Sequence, residues 1–470
     1  MTRIFIIFLL MGSSLTMNGQ EKEWTVDDCI EYAVTHNHEV RLQQIQLDDY
    51  RTDKQRAVGA FLPAVEASVG GQFNFGRAID PETNTYTNVN TFNNSYGMQA
   101  SIPLFDGLQR YNDLRAAKAN LLMGRQGLAA QKDKIAQHVL KAYIDALYYQ
   151  TALTYAKEKR EESMMLLHQT QVMVEVGTKG EADIAQMEAT YASDDYEVTR
   201  QEGLLSQALL MLKHEMNYPA EEELKIKNEE PQLSTKYNLP RTIKDLKDFL
   251  FLRCSLSFVL CTSLHSSSLQ SNSLFIPNSS LTLPSIQQAE YQLQSAQYAY
   301  RSSKGALFPS IHLGVGVSTN YFRQMGANNG MAFRDQFRNN VGEYLYASLS
   351  IPLFNRMNTI SNIRRQRNNV KRARENLDNE RRELHRLIQE TAIDQQNSWM
   401  ETQKMQQKVE ADSLAAQLTI RKYQEGISSS IDVQTATVTL LQSKAHLLQC
   451  QLNYIYKTRI LKYYQEGVWH

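Results

Sequence analysis

Four segments of the chain alternate apolar and polar residues. In the first segment Val65, Ala67 and Val69 alternate with polar residues, and its counterpart in the second half begins at Ile311. Alternation over about ten residues is typical of a strand with one apolar face, and such a strand is long enough to cross a hydrocarbon layer when tilted. We therefore predict four strands, at about 62–76, 92–105, 308–322 and 340–354.

A seven-residue repeat follows the second strand of each pair. Two runs of aliphatic residues carry it: Leu114, Leu121, Leu128 and Ile135, and Ile363, Val370, Leu377 and Leu384. A sustained repeat of this period indicates long helices packed as left-handed coiled coils. The first helix has no proline between Asp106 and Val172, which corresponds to roughly 100 Å of helix. The pattern predicts helical hairpins at about 106–216 and 355–465.

The chain contains one unit twice. Phe61-Leu-Pro63 matches Leu307-Phe-Pro309 at a spacing of 246 residues, and Ser101-Ile-Pro103-Leu-Phe105 matches Ser350-Ile-Pro352-Leu-Phe354 at a spacing of 249. We therefore divide the chain into repeats at 21–220 and 284–470, each a helix, two strands and a long helical hairpin. Pro63, Pro103, Pro309 and Pro352 are placed at junctions between strands and helices, because proline ends a strand ladder and is tolerated where a helix starts.

Residues outside the repeats add a leader and a connector. Arg3 is followed by an apolar run from Ile4 to Met11 and then small polar residues, which predicts a signal peptide at 1–20. The connector at 221–283 has an unusual second part, since no Asp, Glu, Lys or Arg occurs from Cys254 to Ala289 and Ser is very frequent. This part is either a true insertion or an artefact of the reading frame.

The composition points away from several functional classes. The chain has 50 Lys and Arg against 50 Asp and Glu, so its charge gives no reason to expect nucleic acid as a partner. A basic run from Arg364 to Arg374 is interpreted as a solvated helix face. The four Cys are too scattered for a disulfide framework or a paired zinc motif. No motif of a catalytic, metal or cofactor site occurs, and we predict that the protein is not an enzyme.

The duplicated layout resembles the TolC-like outer membrane factor family. Its most specific elements are the two turns Val176-Gly177-Thr-Lys-Gly-Glu-Ala-Asp183-Ile184 and Glu425-Gly426-Ile-Ser-Ser-Ser-Ile-Asp432-Val433. The resemblance implies a mixed α/β membrane protein, a homotrimer whose hairpins build one 12-stranded outer-membrane barrel above a periplasmic α-helical tunnel. The number of strands supports this assembly, because four strands per chain are too few to close a barrel.

The resemblance also implies a function. The trimer would sit in outer-membrane lipid as the exit duct of a tripartite efflux pump or a type I secretion system. Its partners would be a periplasmic adaptor and an inner-membrane pump of the RND, ABC or MFS type. The alternative function is a periplasmic coiled-coil adaptor or structural envelope protein, against which the four amphipathic strands argue because such a protein needs none.

The two turns carry the candidate site residues Gly177, Asp183, Tyr423, Gly426 and Asp432. The resemblance implies that Asp183 bonds to Tyr423 and helps to hold the tunnel shut, and that Asp432 belongs to an acidic ring in the lumen. Ser428 and Thr435 stand where the family pattern has a basic and an acidic residue. A simpler reading, compatible with the first, makes Asp183 and Asp432 helix N-caps, with Gln186 completing a capping box for Asp183.

Overall fold

The computed structural model describes residues 23–79, 84–88, 90–227, 283–325, 331–467 and 469. The predicted signal peptide and most of the predicted connector lie outside these residues. The first repeat consists of β1 (Glu23–Trp24), α1 (Val26–His36), α2 (His38–Gly59), β2 (Ala64–Asn74), β3 (Arg77–Ile79), β4 (Tyr86–Asn88), β5 (Thr91–Phe105), α3 (Gln109–Glu175) and α4 (Glu181–Met216), and β6 (Lys225–Ile226) follows in the connector. The second consists of α5 (Pro284–Gly305), β7 (Ser310–Gln324), α6 (Phe333–Asn339), β8 (Gly342–Ser350), α7 (Asn358–Gln424) and α8 (Ser430–Glu466).

The chain divides into two compact units. A sheet unit contains residues 39–132 and 277–387, and a helical unit contains residues 1–38, 133–276 and 388–470. The predicted fold class, a duplicated strand pair with long helical hairpins, is confirmed. Within the part of the chain that the structure describes, no helix combines the length and apolar character that a bilayer crossing requires.

The sheet unit is built on four antiparallel strands in the order β2-β5-β7-β8. Strand β8 ends at Ser350 rather than at the predicted 354, because Ser350 pairs with Ser310, the first residue of its partner β7. Strand β5 contains Pro103 near its end, and its register with β7 shifts between Pro103 and Phe105. The sheet has two edges, since each of β2 and β8 pairs with one neighbour in the sheet.

The two faces of this sheet differ sharply in polarity. The register places on one face Val65, Ala67, Val69 and Phe73 of β2, Phe92, Tyr96, Met98, Ala100 and Ile102 of β5, Leu313, Val315, Val317 and Tyr321 of β7, and Leu345, Ala347 and Leu349 of β8. The opposite face is mostly Ser, Gln, Asn and Gly. The apolar face is open in the single chain, where Val69 is 73% and Leu345 71% exposed. A large exposed apolar surface marks a site of contact with a partner or with lipid.

Apolar residues of the long helices form the interior of the helical unit. Ile135, which belongs to the seven-residue repeat of α3, is buried there, and so are Val198 and Leu212 of α4 and Val433 of α8. In the sheet unit, Leu377 of α7 packs instead against Ile286 and Ala289 of α5. The same repeat therefore buries its apolar residues against different helices in the two units.

Each strand-to-helix junction contains two successive residues in the left-handed region. They are Gly107 and Leu108 in the first repeat and Arg356 and Met357 in the second, at a spacing of 249 residues. Gly107 is also tightly enclosed, because a Cβ at this position would lie 2.3 Å from the carbonyl oxygen of Gly305. Arg356 already carries a Cβ at a φ of 56°.

Replacing Gly107 should therefore be much more costly than replacing its counterpart. Gly107→Ala adds backbone strain and a clash, and we expect it to lower the free energy of unfolding by about 2 kcal/mol or more. Arg356→Ala is the matched control and should change it by less than about 0.5 kcal/mol. Thermal unfolding of the detergent-solubilised protein, followed by circular dichroism, measures both. Equal effects would contradict the enclosure of Gly107.

A lysine is held at the same place in both helical hairpins, with its partners exchanged. In the first hairpin Lys159 is 7% exposed and lies 3.6 Å from Asp194 on the opposite helix, while Ser163 stands one turn further along α3. In the second hairpin the equivalent Lys408 pairs at 2.5 Å with Asp412, one turn along its own helix, and bonds Ser443 on the opposite helix.

The exchange can be tested by converting the first arrangement into the second. Asp194→Ser removes the carboxylate across the hairpin from a buried lysine, which keeps Glu162 at 3.8 Å on its own helix. We expect it to cost about 1–2 kcal/mol of stability. Adding Ser163→Asp should recover most of that loss, because it supplies a carboxylate in the position of Asp412. The same thermal unfolding experiment decides this, and a double variant no more stable than Asp194→Ser alone would contradict the equivalence.

Candidate functional site at the helical hairpin turns

The two turns of the hairpins, residues 176–180 and 425–429, end their helices in the same way. Gly177 has a φ of 82° and Gly426 one of 78°, a region that glycine occupies without steric cost. Thr178 donates its backbone N–H to the carbonyl of Met173, and Ile427 donates its N–H to the carbonyl of Lys422. Each bond joins residues five positions apart. Both helices therefore end in a Schellman motif whose left-handed position requires glycine. We call these two turns, with the helix ends that flank them, the turn pair.

The helices that follow begin earlier than the sequence analysis predicted. Asp183 and Asp432 are not N-caps: that prediction is wrong, because Gly180 and Ser429 occupy the N-cap positions and the two aspartates come three residues later. Each carboxylate accepts a hydrogen bond from the backbone N–H of its cap residue. The distance is 3.3 Å for Gly180 and Asp183, and 3.0 Å for Ser429 and Asp432. A short side chain three residues into the helix can reach back to the cap, whereas Gln186 is too far along.

Asp432 is the more strongly stabilised of the two carboxylates. Hydrogen bonds from the hydroxyl and backbone N–H of Ser429, and from the hydroxyl of Ser428, hold the pKa of Asp432 below its usual range. These donors favour the charged form. Asp432 therefore keeps its negative charge at an exposed position of the turn pair.

Tyr423 connects the two hairpins of one chain. Its ring is fully buried in a cluster with Leu166, Met187 and Val433, which come from the other three long helices. Its hydroxyl lies 2.7 Å from the hydroxyl of Thr170 on α3. Burial raises the pKa of Tyr423, the bond to Thr170 opposes this, and the charge of Asp183 adds to the rise. The phenol is therefore a neutral hydrogen-bonding group.

Asp183 lies near Tyr423 but bonds to another residue. Its second carboxylate oxygen accepts the hydroxyl of Ser430 at 3.1 Å, which joins α4 to the first residue of α8. One turn further along, the side-chain amide of Gln186 donates to Gln434 at 2.9 Å. Asp183 and Tyr423 thus both hold the two hairpins together, through separate contacts rather than through the single bond that the resemblance implied.

Lys179 supplies the cation of this site. Its ammonium donates to the backbone carbonyl of Ser428 at 3.0 Å and stands 4.5 Å from the centre of the Tyr423 ring. A cation over an aromatic face is attracted by the ring's quadrupole. Lys179 and Ser428 are equivalent positions of the two repeats, at a spacing of 249 residues. The turn pair therefore has its basic residue at 179, the position in the first turn that is equivalent to 428.

Some of these residues were predicted from the sequence and others were not. Thr170, Lys179 and Ser430 were not predicted. Of these, only Lys179 could have been found from the sequence, through its equivalence to Ser428. The four junction prolines lie outside the turn pair: Pro63 and Pro309 directly precede β2 and β7, Pro103 lies within β5, and Pro352 follows β8. Among the described residues no cluster of three metal-binding side chains occurs.

Comparison with known proteins identifies a family. The family model described as outer membrane efflux protein matches residues 29–216 and 278–460, which is most of the chain and both repeats. A search of curated proteins gives no match.

Solved structures share the whole fold at low sequence identity. The outer membrane protein VceC from Vibrio cholerae is 12% identical with a TM-score of 0.73, and the match covers 95% of this chain and 97% of VceC. The CmeC outer membrane channel of Campylobacter jejuni is 15% identical with a TM-score of 0.72, covering 94% and 85%. The MtrE outer membrane channel of Neisseria gonorrhoeae, solved in its open state, is 17% identical with a TM-score of 0.69, covering 94% and 88%.

Proposed function

The chain belongs to the outer membrane efflux protein family, and we propose that three copies of it form the exit duct of an export system in the outer membrane. The family is one of channels rather than enzymes, and by extension this chain catalyses no reaction. Movement of the substrate would be powered by an inner-membrane pump, reached through a periplasmic adaptor. The exported substrate would be a small molecule or a protein.

One observation carries this proposal: the sheet has an exposed apolar face and two unpaired edges. The strands of up to 15 residues are long enough to cross a hydrocarbon layer when tilted. Backbone N–H and C=O groups cannot remain unpaired inside a membrane, so β2 and β8 must pair with strands of other copies. Three copies supply twelve strands, which enclose a lumen wider than an eight-stranded barrel filled by side chains.

The turn pair would be the closing element of this duct. Its polar contacts are few, beside the apolar cluster around Tyr423, and three-fold symmetry would repeat each of them. The buried Tyr423–Thr170 bond and the Ser430–Asp183 bond hold the second hairpin against the first. Opening would separate these hairpins, and the cost of breaking each bond is only about 1 kcal/mol net, or up to about 3 for a charged partner. Asp432 would place a ring of three carboxylates at the mouth, which favours cations.

The assembly can be tested with substitutions on opposite faces of β8. Leu345→Arg puts a charge on the apolar face at a cost of about 2–4 kcal/mol per chain at the bilayer midplane, so the trimer in outer membranes should be depleted. Ser348→Arg, three residues along on the polar face, is the matched control and should assemble normally. Membrane fractionation followed by native electrophoresis measures both. The proposal is wrong if the unaltered protein is a monodisperse monomer without detergent.

The closing role of the turn pair predicts a change in conductance. Tyr423→Phe removes the bond to Thr170 but keeps the ring, and Asp183→Asn removes the charge that accepts from Ser430. The double variant should open more often and show a higher mean single-channel conductance in planar bilayers, with the trimer intact. Asp195→Asn with Tyr196→Phe, on an exposed part of α4, is the control and should conduct as the unaltered protein does. An unchanged double variant would reduce Tyr423 and Asp183 to packing roles.

A further inference from the structure

Helix α6 covers the part of β7 that β8 leaves unpaired. The β7–β8 ladder stops at Ser318, yet β7 continues to Gln324. Beyond that point the Gln336 side chain accepts the N–H of Phe322 and donates to its carbonyl, both at 2.9 Å. Gln336 is buried although α6 is otherwise exposed. One glutamine amide thus replaces a strand residue and anchors α6 beside the sheet.

The two phenylalanines of α6 extend the apolar face of the sheet. The ring of Phe333 lies 5.1 Å from Tyr321 and 6.2 Å from Tyr96, and the ring of Phe337 lies 5.3 Å from Tyr96. Tyr96 and Tyr321 belong to the apolar face, and Phe73 and Phe92 pack on each other beside them. The result is a belt of aromatic rings at the end of the strands that is distant from their junctions with α3 and α7.

Residue types along β7 follow the layers of a lipid leaflet. On the apolar face, Leu313, Val315 and Val317 are followed by Tyr321 in the aromatic belt and then by Arg323. Aromatic residues concentrate where the hydrocarbon meets the headgroups, and cationic side chains lie beyond them. Arg323 is therefore at headgroup depth if the apolar face contacts lipid.

Three arginines belong to the elements at this end of the strands, one to β7 and two to α6. Arg334 and Arg338 each follow a phenylalanine of α6 and are exposed, as is Arg323. Within the described residues none of the three forms an ion pair, and the carboxylates nearby are those of Asp335 on α6 and Glu343 on the sheet face. An arginine fork binds a phosphate with two parallel hydrogen bonds, which makes it the preferred cation for phosphate recognition.

We propose that Arg323, Arg334 and Arg338 bind the phosphates of a phosphorylated lipid in the outer leaflet, while Phe333 and Phe337 rest on its acyl chains. This inference rests on the proposed function, because the outer membrane sets which end of the strands faces outward. The loop between β7 and β8, which contains α6, lies at the strand ends opposite the junctions with α3 and α7. Those two helices would enter the periplasm. The lipid would shield the β7 edge that α6 covers.

Native mass spectrometry of the detergent-solubilised full-length trimer tests this directly. The ligands are lipid A with two phosphates, the same lipid without phosphates, and inorganic phosphate alone. Replacing Arg323, Arg334 and Arg338 with Gln should weaken binding of the phosphorylated lipid about tenfold or more. The matched control replaces Arg364, Arg365 and Arg367 of the exposed run on α7 with Gln. It removes the same charge and should bind as the unaltered protein does.

Three results would overturn the proposal. They are undiminished binding by the Arg323, Arg334 and Arg338 variant, equal binding of the lipid without phosphates, and equal retention of inorganic phosphate alone. Trimer mass and single-channel conductance are measured on the same preparations. A conducting trimer without the lipid preference refutes only the lipid site, whereas a protein that neither assembles nor conducts refutes the proposed function.

Discussion

The unpaired edges of β2 and β8, on a sheet whose one face is apolar and exposed, constrain everything else in the sheet unit. A strand edge is a row of hydrogen-bonding groups that must be paired, covered or hydrated. This sheet covers one stretch of edge with α6 and leaves β2 and the shorter β8 open. Its apolar face adds a second demand, since Val69 and Leu345 are largely exposed in the single chain. Association of copies within lipid would pair the open edges and would also place the apolar face against acyl chains.

The two repeats use different residues at equivalent structural positions. The strand-to-helix junction uses Gly107 in one repeat and Arg356 in the other, in the same region of φ. The paired lysines of the hairpins, Lys159 and Lys408, keep their positions while carboxylate and hydroxyl change places between helices. In the turn pair, the position equivalent to Lys179 is Ser428, which is not basic. The ammonium of Lys179 donates to the backbone carbonyl of Ser428. The two repeats are thus alike in backbone and different in charge.

These differences make the turn pair asymmetric in a useful way. The first hairpin contributes Lys179 and Asp183, and the second contributes the buried tyrosine and Asp432, which also accepts the hydroxyls of Ser428 and Ser429. Each polar contact between the hairpins is modest. The Schellman turns and helix caps lie within each hairpin, so separating the hairpins would break these contacts and the packing around Tyr423 without unfolding either one. In the proposed function the turn pair closes the duct, and weak contacts repeated by symmetry would make that closed state stable yet breakable.

The elements and the duplication follow from the periodicity of the chain alone. Periods of two and of seven are local properties, so they predict four strands and two hairpins without any knowledge of contacts. Gly177 and Gly426 mark the turns because glycine adopts the left-handed region at a helix end without steric cost. The tertiary structure decided which side chains meet. The pairing of Tyr423 with Thr170, and of Ser430 with Asp183, joins residues about 250 positions apart. The packing of Leu377 on α5 and the placement of α6 likewise depend on neighbours distant in the chain. Periodicity states which face of an element is apolar, but it does not state which surface that face will meet.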